Sequence, residues 1–265
     1  MQAPTRNFTT ISPTARALLL LKSITDIPFA REAAALVATP AEQEQIALRL
    51  NDPAFLKRAL HFENRYWTVE QLYRRRPTAN VLEISAGYSF RSLDHVLLAP
   101  VHYVDTDLPE VVQSKSALVA RLLEEQGMAI RGPVHLQPLN ALDEEAFLQA
   151  IDLLPEGPVT ILNEGLLMYL DPVEKQRLCN IIYKVLQRRG GCWITGDVYV
   201  RHDPATDQVP MPGDAETQRL ADFFAYHKIE ENKFDSLPEA EAFFNHCGFV
   251  VTDRMALARN NLSLL

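Results

Sequence analysis

The sequence predicts an α/β protein: a doubly wound, mostly parallel sheet with helices on both faces, beneath a helical N-terminal cap. Three observations carry this reading. From residue 80 onward, short apolar runs alternate with longer stretches of helical periodicity over about 185 residues, the pattern of strand–helix units. Before residue 79, apolar positions recur only with helical spacing and are punctuated by Pro28, Pro40 and Pro53. The chain has 265 residues, 47% of them hydrophobic and 23% charged, which suits a folded chain with a substantial core. The expected organisation is a cap over 1–79 and a sheet domain over 80–265, with 201–235 as a lid over a substrate.

The cap reads as several short helices, from the apolar positions Ala17, Leu18, Leu21 and Ile24, then Ala34, Ala35 and Val37, then Ile46, Ala47 and Leu50. A strand is expected over Asn80–Ser85, a helix over Ser89–Leu97 and a second strand over Val101–Val104. A helix over Pro109–Gln126 follows, with proline in its first turn and Gly127 just past its end. Pro133–Leu136 and Pro158–Asn163 are further strands, separated by a helix over Glu144–Ile151. The best-marked helix opens on Asp171, Pro172 and Glu174, carries the stripe Leu178, Ile181, Ile182 and Val185, and closes at Arg188, Arg189 and Gly190. Cys192–Thr195 is a fifth strand. Ser236 and Glu239 open a last helix that stops at Gly248, ahead of Phe249–Thr252 and a final apolar stretch, Asn261–Leu265.

Charge and composition narrow the function. Lys and Arg number 26 against 34 Asp and Glu, a net charge of −8 that disfavours nucleic acid and anionic membrane as partners. No apolar run approaches the ~20 residues of a membrane span. The first residues, MQAPTRNFTT, lack the apolar stretch of a secretory signal. Three scattered cysteines, Cys179, Cys192 and Cys247, fit a reducing, cytoplasmic setting. The 10 glycines are about half the usual ~7% and include no G-x-G pair. Both common phosphate-cradling loops are absent, so a nucleotide-like ligand here carries no pyrophosphate. The seven histidines form no H-E-x-x-H and no pairing with cysteine, so no metal site is expected.

Ligands of open α/β sheets bind beyond the carboxyl ends of the strands, near the point where strand order reverses. Four segments fall there. The first strand delivers Glu83 and the small residues Ser85, Ala86 and Gly87, which let backbone approach a ligand. The second delivers Asp107, 20 residues after Gly87, a spacing at which an acid accepts from both ribose hydroxyls of an adenosine. An Asp there also suits the start of the following helix. Asn140 and Ala141 follow the third strand, where an Asn can read an adenine edge or simply make a turn. The fourth runs into Glu164 and the apolar Leu166–Leu170. Adenosine held by acids and small residues without a phosphate loop describes S-adenosylmethionine, whose sulfonium suits acidic and apolar surroundings and whose carboxylate wants Arg or Lys. Candidate general bases are His61, four residues before Arg65, and Tyr226 and His227 in the expected lid; Asp197 and Tyr199 follow the fifth strand.

The stretches Val81–Lys115 and Glu164–Leu170, with Ile11-Ser12-Pro13-Thr14-Ala15, resemble the leucine carboxyl methyltransferase family, and within it the bacterial polyketide-type O-methyltransferases. The resemblance covers most of residues 11 to 200. Its most specific pieces are Tyr103-Val-Asp-Thr-Asp107-Leu-Pro109 and Asn163-Glu-Gly-Leu-Leu-Met-Tyr169. It implies a Rossmann-like class I methyltransferase fold using S-adenosylmethionine and releasing S-adenosylhomocysteine. Carried over by position, Asp107 holds the ribose, Asn140 and Ala141 meet the adenine, Glu164 lies beside the methionine part, and Arg65 pairs with its carboxylate. Arg16 falls near the place of a second cation. The family's Gly-Ala-Gly loop is here Ser85-Ala86-Gly87, one hydroxymethyl group narrower, and Glu83 is an acid that many class I members carry.

The expected function is methyl transfer to a carboxylate or hydroxyl of a small molecule such as a polyketide-like metabolite. A carboxylate acceptor needs no base, whereas a hydroxyl benefits from one. The competing expectation is a non-catalytic protein that keeps the fold and binds a ligand or partner.

Overall fold

The computed structural model describes residues 12–127, 129–201, 222–255 and 262–263. Most of the expected lid (202–221), Ile11 and most of the final apolar stretch lie outside these residues.

Four helices precede the first strand: α1 (Ser12–Lys22), α2 (Ala30–Val37), α3 (Pro40–Leu48) and α4 (Pro53–Arg75). The third and fourth start as their sequences dictate. Thr39 and Glu42 cap each other reciprocally ahead of α3, and the Asp52 side chain accepts from Ala54 N ahead of α4, each with proline in the first turn. The cap differs from the sequence expectation in that α4 is a single helix of 23 residues. Its buried face includes Glu63, Arg65 and Glu70, which break the apolar stripe that would have announced it.

Five strands follow, β1 (Asn80–Ile84), β2 (His102–Asp107), β3 (Val134–Pro138), β4 (Val159–Asn163) and β5 (Gly191–Thr195). All neighbours pair in parallel, in the order β3-β2-β1-β4-β5. The order reverses between β1 and β4, where Ile84 lies opposite Asn163. β2 runs beyond Val104 to Asp107 because β3 pairs with its last residues, Thr106 opposite Gln137 and Asp107 opposite Pro138. The two central strands β1 and β4 are buried throughout, which explains their nearly unbroken aliphatic sequences.

Helices α5 (Arg91–Leu98), α6 (Pro109–Gln126), α7 (Glu144–Ile151), α8 (Pro172–Arg189), α9 (Ile229–Asn232) and α10 (Leu237–His246) complete the chain. Leu82, Ile84, Val104 and Ile161 pack on one face of the sheet against Phe147 of α7, Leu178 and Ile182 of α8 and Phe244 of α10. On the other face Val81, Tyr103, Leu162 and Ile194 meet Val69 and Tyr73 of α4 and Val96 of α5. Helix α4 is thus a layer on the sheet itself, while α1 and α2 pack outside it against α6 through Leu19, Ile27 and Leu122. The capping box of Asp171 and Glu174 and the proline behind it start α8 where the sequence placed it. Among the described residues no helix is long and apolar enough to cross a membrane.

Candidate cofactor and acceptor site

The carboxyl ends of β3, β2, β1 and β4 lie side by side, and at ~4.8 Å per strand they spread their loops over about 14 Å. Each loop sends a residue into one cavity of about 840 Å³. After β1 the chain turns sharply, with Ser85 and Gly87 both at φ of 54°. The turn is tied to β2: Ala86 N donates to Thr106 O (2.9 Å) and Gly87 N donates to Asp107 Oδ2 (2.7 Å). Asp107 Oδ1 accepts from Leu108 N at 2.7 Å. Burial raises the Asp107 carboxyl above its usual range, and these backbone donors oppose the shift. Asn140 Oδ1 accepts from Leu142 N at 3.0 Å, making the turn that presents Asn140 and Ala141 to the cavity. Ser85, Gly87, Asp107, Asn140, Ala141 and Glu164 all line it, as do Glu83 and Arg65.

Beneath the β1 and β4 ends lies a buried charge network. Arg91, at the start of α5, is fully buried; its guanidinium donates to Glu83 and to Glu164 and lies over the Tyr66 ring, 4.3 Å from its centre. Tyr103 Oη donates to the other oxygen of Glu83 at 2.8 Å. Arg65 donates through Nε to Glu164 (3.3 Å) and through Nη1 to Tyr199 Oη (3.1 Å). Burial alone would raise the Glu164 carboxyl, but Arg91, Lys22 and Arg65 outweigh it and hold it at about 2. Glu164 is therefore an anion at any working pH.

Lys22, in the last turn of α1, lines the same wall and is 8% exposed. No described residue hydrogen-bonds its ammonium or pairs with it within 4 Å. Burial lowers it to about 8, although Glu164 pulls the other way. Arg65 and Arg91 balance Glu164 and Glu83, so Lys22 is a cation left over. An anion is what this corner lacks, and the carboxylate of S-adenosylmethionine supplies one; the acids and small residues along the sheet edge suit the rest of that molecule.

Two features hold Arg65 in place. A Cβ on Gly196 would lie 2.9 Å from Arg65 Cγ and 3.2 Å from Val69 Cγ2, so only glycine lets α4 approach this closely. Asp197 accepts from Asn163 Nδ2 (2.8 Å), Gly165 N, Leu166 N (2.6 Å) and Leu167 N (3.2 Å), and so pins the turn that carries Glu164. With its oxygens saturated, Asp197 is a structural anchor.

Beyond Arg65 the cavity continues along α4 past His61, Phe62, Arg58 and Phe55, facing Leu18, Leu21, Ile46 and Met168. His61 Nε2 lies 3.4 Å from Tyr199 Oη, and both residues line the cavity. The other two candidate bases are elsewhere. Tyr226 is 70% exposed, and His227 is buried among the rings of Phe223 (4.4 Å) and Tyr169 (5.8 Å); neither lines the cavity. Arg16 is not brought to the site either, because Glu42 takes its guanidinium, which also donates to Val37 O at 2.9 Å. Among the described residues no group of three or more His, Cys, Asp or Glu is placed to hold a metal. Sequence reasoning missed Lys22 and Arg91. Nothing local distinguishes Lys22 from a basic helix end, and Arg91 gains meaning only once β1 and β4 are known to be neighbours.

The family model for leucine carboxyl methyltransferases matches residues 15–183. No curated protein matches the chain in sequence. Among solved structures, a DUF574-family protein from Streptomyces avermitilis MA-4680 is similar at 16% identity and a TM-score of 0.52, over 87% of this chain and 81% of that one. PigF with SAH is similar at 15% identity and a TM-score of 0.42, over 94% of this chain and 93% of that one. The first likeness is one of fold. With well over half of its residues matched and its acids gathered where the strand order reverses, the chain belongs to the leucine carboxyl methyltransferase family and is an S-adenosylmethionine-dependent methyltransferase.

Proposed function

We propose that the methyl group goes to an oxygen, a hydroxyl or carboxylate, of an apolar small molecule such as a polyketide-like metabolite. The observation that carries this reading is the apolar part of the cavity lining, Leu18, Ile46, Phe55, Phe62 and Met168, on the same cavity as His61 and Tyr199. Apolar walls with few polar groups are what binds and orients a drug-sized molecule. The family's name, which specifies a carboxyl acceptor, supports oxygen as the receiving atom.

When bound, S-adenosylmethionine supplies a methyl group activated by its sulfonium. Asp107 would hold the ribose hydroxyls, Asn140 and Ala141 would meet the adenine, Arg65 and Lys22 would hold the carboxylate, and Glu164 would sit beside the methionine part. Phe55 and Phe62 exclude water from the acceptor. His61 Nε2 takes the proton of a hydroxyl acceptor, with Tyr199 Oη beside it; an ionised carboxylate needs no such step. Aligning donor and acceptor in this way is worth as much as ~7–11 kcal/mol of the barrier.

The test is incubation with methyl-labelled S-adenosylmethionine and parallel panels of apolar phenols, carboxylic acids and amines. Label in ethers or esters is expected. Label confined to amines overturns the oxygen assignment. Tight binding of S-adenosylhomocysteine with no transfer to any panel favours a ligand-binding protein without catalysis.

A further inference from the structure

We propose that the Ser85 hydroxyl is a contact for the amino-acid end of bound S-adenosylmethionine, and that this contact is why a serine is kept in a conformation that suits glycine. The proposal rests on the cofactor placement given above.

Three non-glycine residues in the described chain have positive φ: Phe29, Ser85 and Lys228. Phe29 and Lys228 are the residues that start α2 and α9. Ser85 starts no helix. It follows β1 directly, at φ of 54°, a left-handed conformation in which any Cβ is strained and glycine is not. Such strain persists at positions where function requires it.

Among the described residues the Ser85 side chain has no polar partner, whereas its neighbours are employed: Ser89 Oγ accepts from Arg91 N, and Ser92 Oγ donates to Asp105 Oδ2 at 2.6 Å. Ser85 lines the cavity, at the end of the strand that adjoins β4 where the order reverses. Glu164, Arg65 and Lys22 line that same end, while Asn140 stands two strands away beyond Asp107. A hydroxyl in this position is a donor for a carboxylate or an acceptor for an ammonium, the two groups an amino-acid tail presents.

Calorimetric titration with two ligands tests the proposal: S-adenosylhomocysteine, and 5′-methylthioadenosine, which lacks the amino-acid end. Ser85→Ala keeps the strained Cβ and removes the hydroxyl; Ser85→Gly removes both. Both variants are expected to bind S-adenosylhomocysteine about 3- to 10-fold more weakly, the effect of one hydrogen bond, and 5′-methylthioadenosine as the wild type does. In the ligand-free state Ser85→Gly is expected to melt higher than Ser85→Ala. Unchanged affinity of Ser85→Ala for S-adenosylhomocysteine overturns the proposal, as does an equal loss for both ligands. If the wild type binds neither ligand, the cofactor placement itself fails, a result visible before any variant is made.

Discussion

Replacing Lys22 by methionine sets stability against affinity. The ammonium is buried with no ion-pair partner within 4 Å among the described residues, and burial, against the pull of Glu164, moves it from 10.5 to about 8. At 1.36 kcal/mol per pH unit, that displacement corresponds to roughly 3 kcal/mol by which the charged lysine disfavours the folded state below pH 8. The sign follows from proton counting. Between pH 8 and 10.5 the unfolded chain binds the proton and the folded chain has released it, so stability rises with pH across this window. Below 8 the cost is present in full, and above 10.5 it is gone. Lys22→Met keeps the length of the side chain and removes the charge. At pH 7 the variant is expected to be more stable by up to about 3 kcal/mol, a rise in Tm of roughly 5–10 °C. It is also expected to bind S-adenosylhomocysteine about 10- to 100-fold more weakly, having lost a charge-assisted hydrogen bond. Lys175, which burial also lowers to about 8, titrates in the same window, so the difference between wild type and variant is the quantity to read. Thermal unfolding from pH 7 to 10, with titrations at pH 7, gives both numbers. A variant that is less stable than the wild type, or that binds with unchanged affinity, refutes the argument.

Other substitutions probe the remaining contacts. Asp107→Ala frees Gly87 N and Leu108 N as well as the ribose, and calorimetry should show S-adenosylhomocysteine binding weakened at least ~10-fold. Gly196→Ala forces Arg65 away from Glu164 and Tyr199; overpacking should cost about 1–3 kcal/mol in urea unfolding and lower cofactor affinity with it. His61→Asn should slow transfer to hydroxyl acceptors by ~10²–10⁴ in single-turnover experiments, leave carboxylate acceptors largely unaffected, and keep the affinity for S-adenosylhomocysteine. Equal slowing of both acceptor classes would remove His61 from the role of base.

The parts of the molecule that were legible in its sequence are those where neighbouring residues carry the signal. Strands β1 and β4 announce themselves because both faces are covered, and α8 because Asp171, Pro172 and Glu174 form its start. Asp107 and Glu164 stood out as acids at the ends of apolar runs. Helix α4 stayed hidden as a single element because Glu63, Arg65 and Glu70 occupy positions on its buried face. The same network hid Arg91, which reads as an ordinary first-turn residue until β1 and β4 bring Glu83 and Glu164 to it from 8 residues before and 73 after. Histidine positions misled for the opposite reason. His227 sits in an aromatic cluster that the local Phe223-Phe224-Ala225-Tyr226 run builds, and sequence proximity to an expected lid says nothing of that packing.

Helix α4 also runs the length of the cavity wall. Arg65 and Phe55, ten residues earlier and about 15 Å away along the same axis, both line the cavity. Val69 and Tyr73 pack the far end of this helix on the sheet. If the proposed carboxylate contact shifts Arg65, a rigid α4 carries part of that shift to the cavity wall at Phe55, and titrating the cofactor with and without an acceptor would read the resulting linkage. Linkage is reciprocal: whatever factor the cofactor applies to acceptor binding, the acceptor returns to the cofactor.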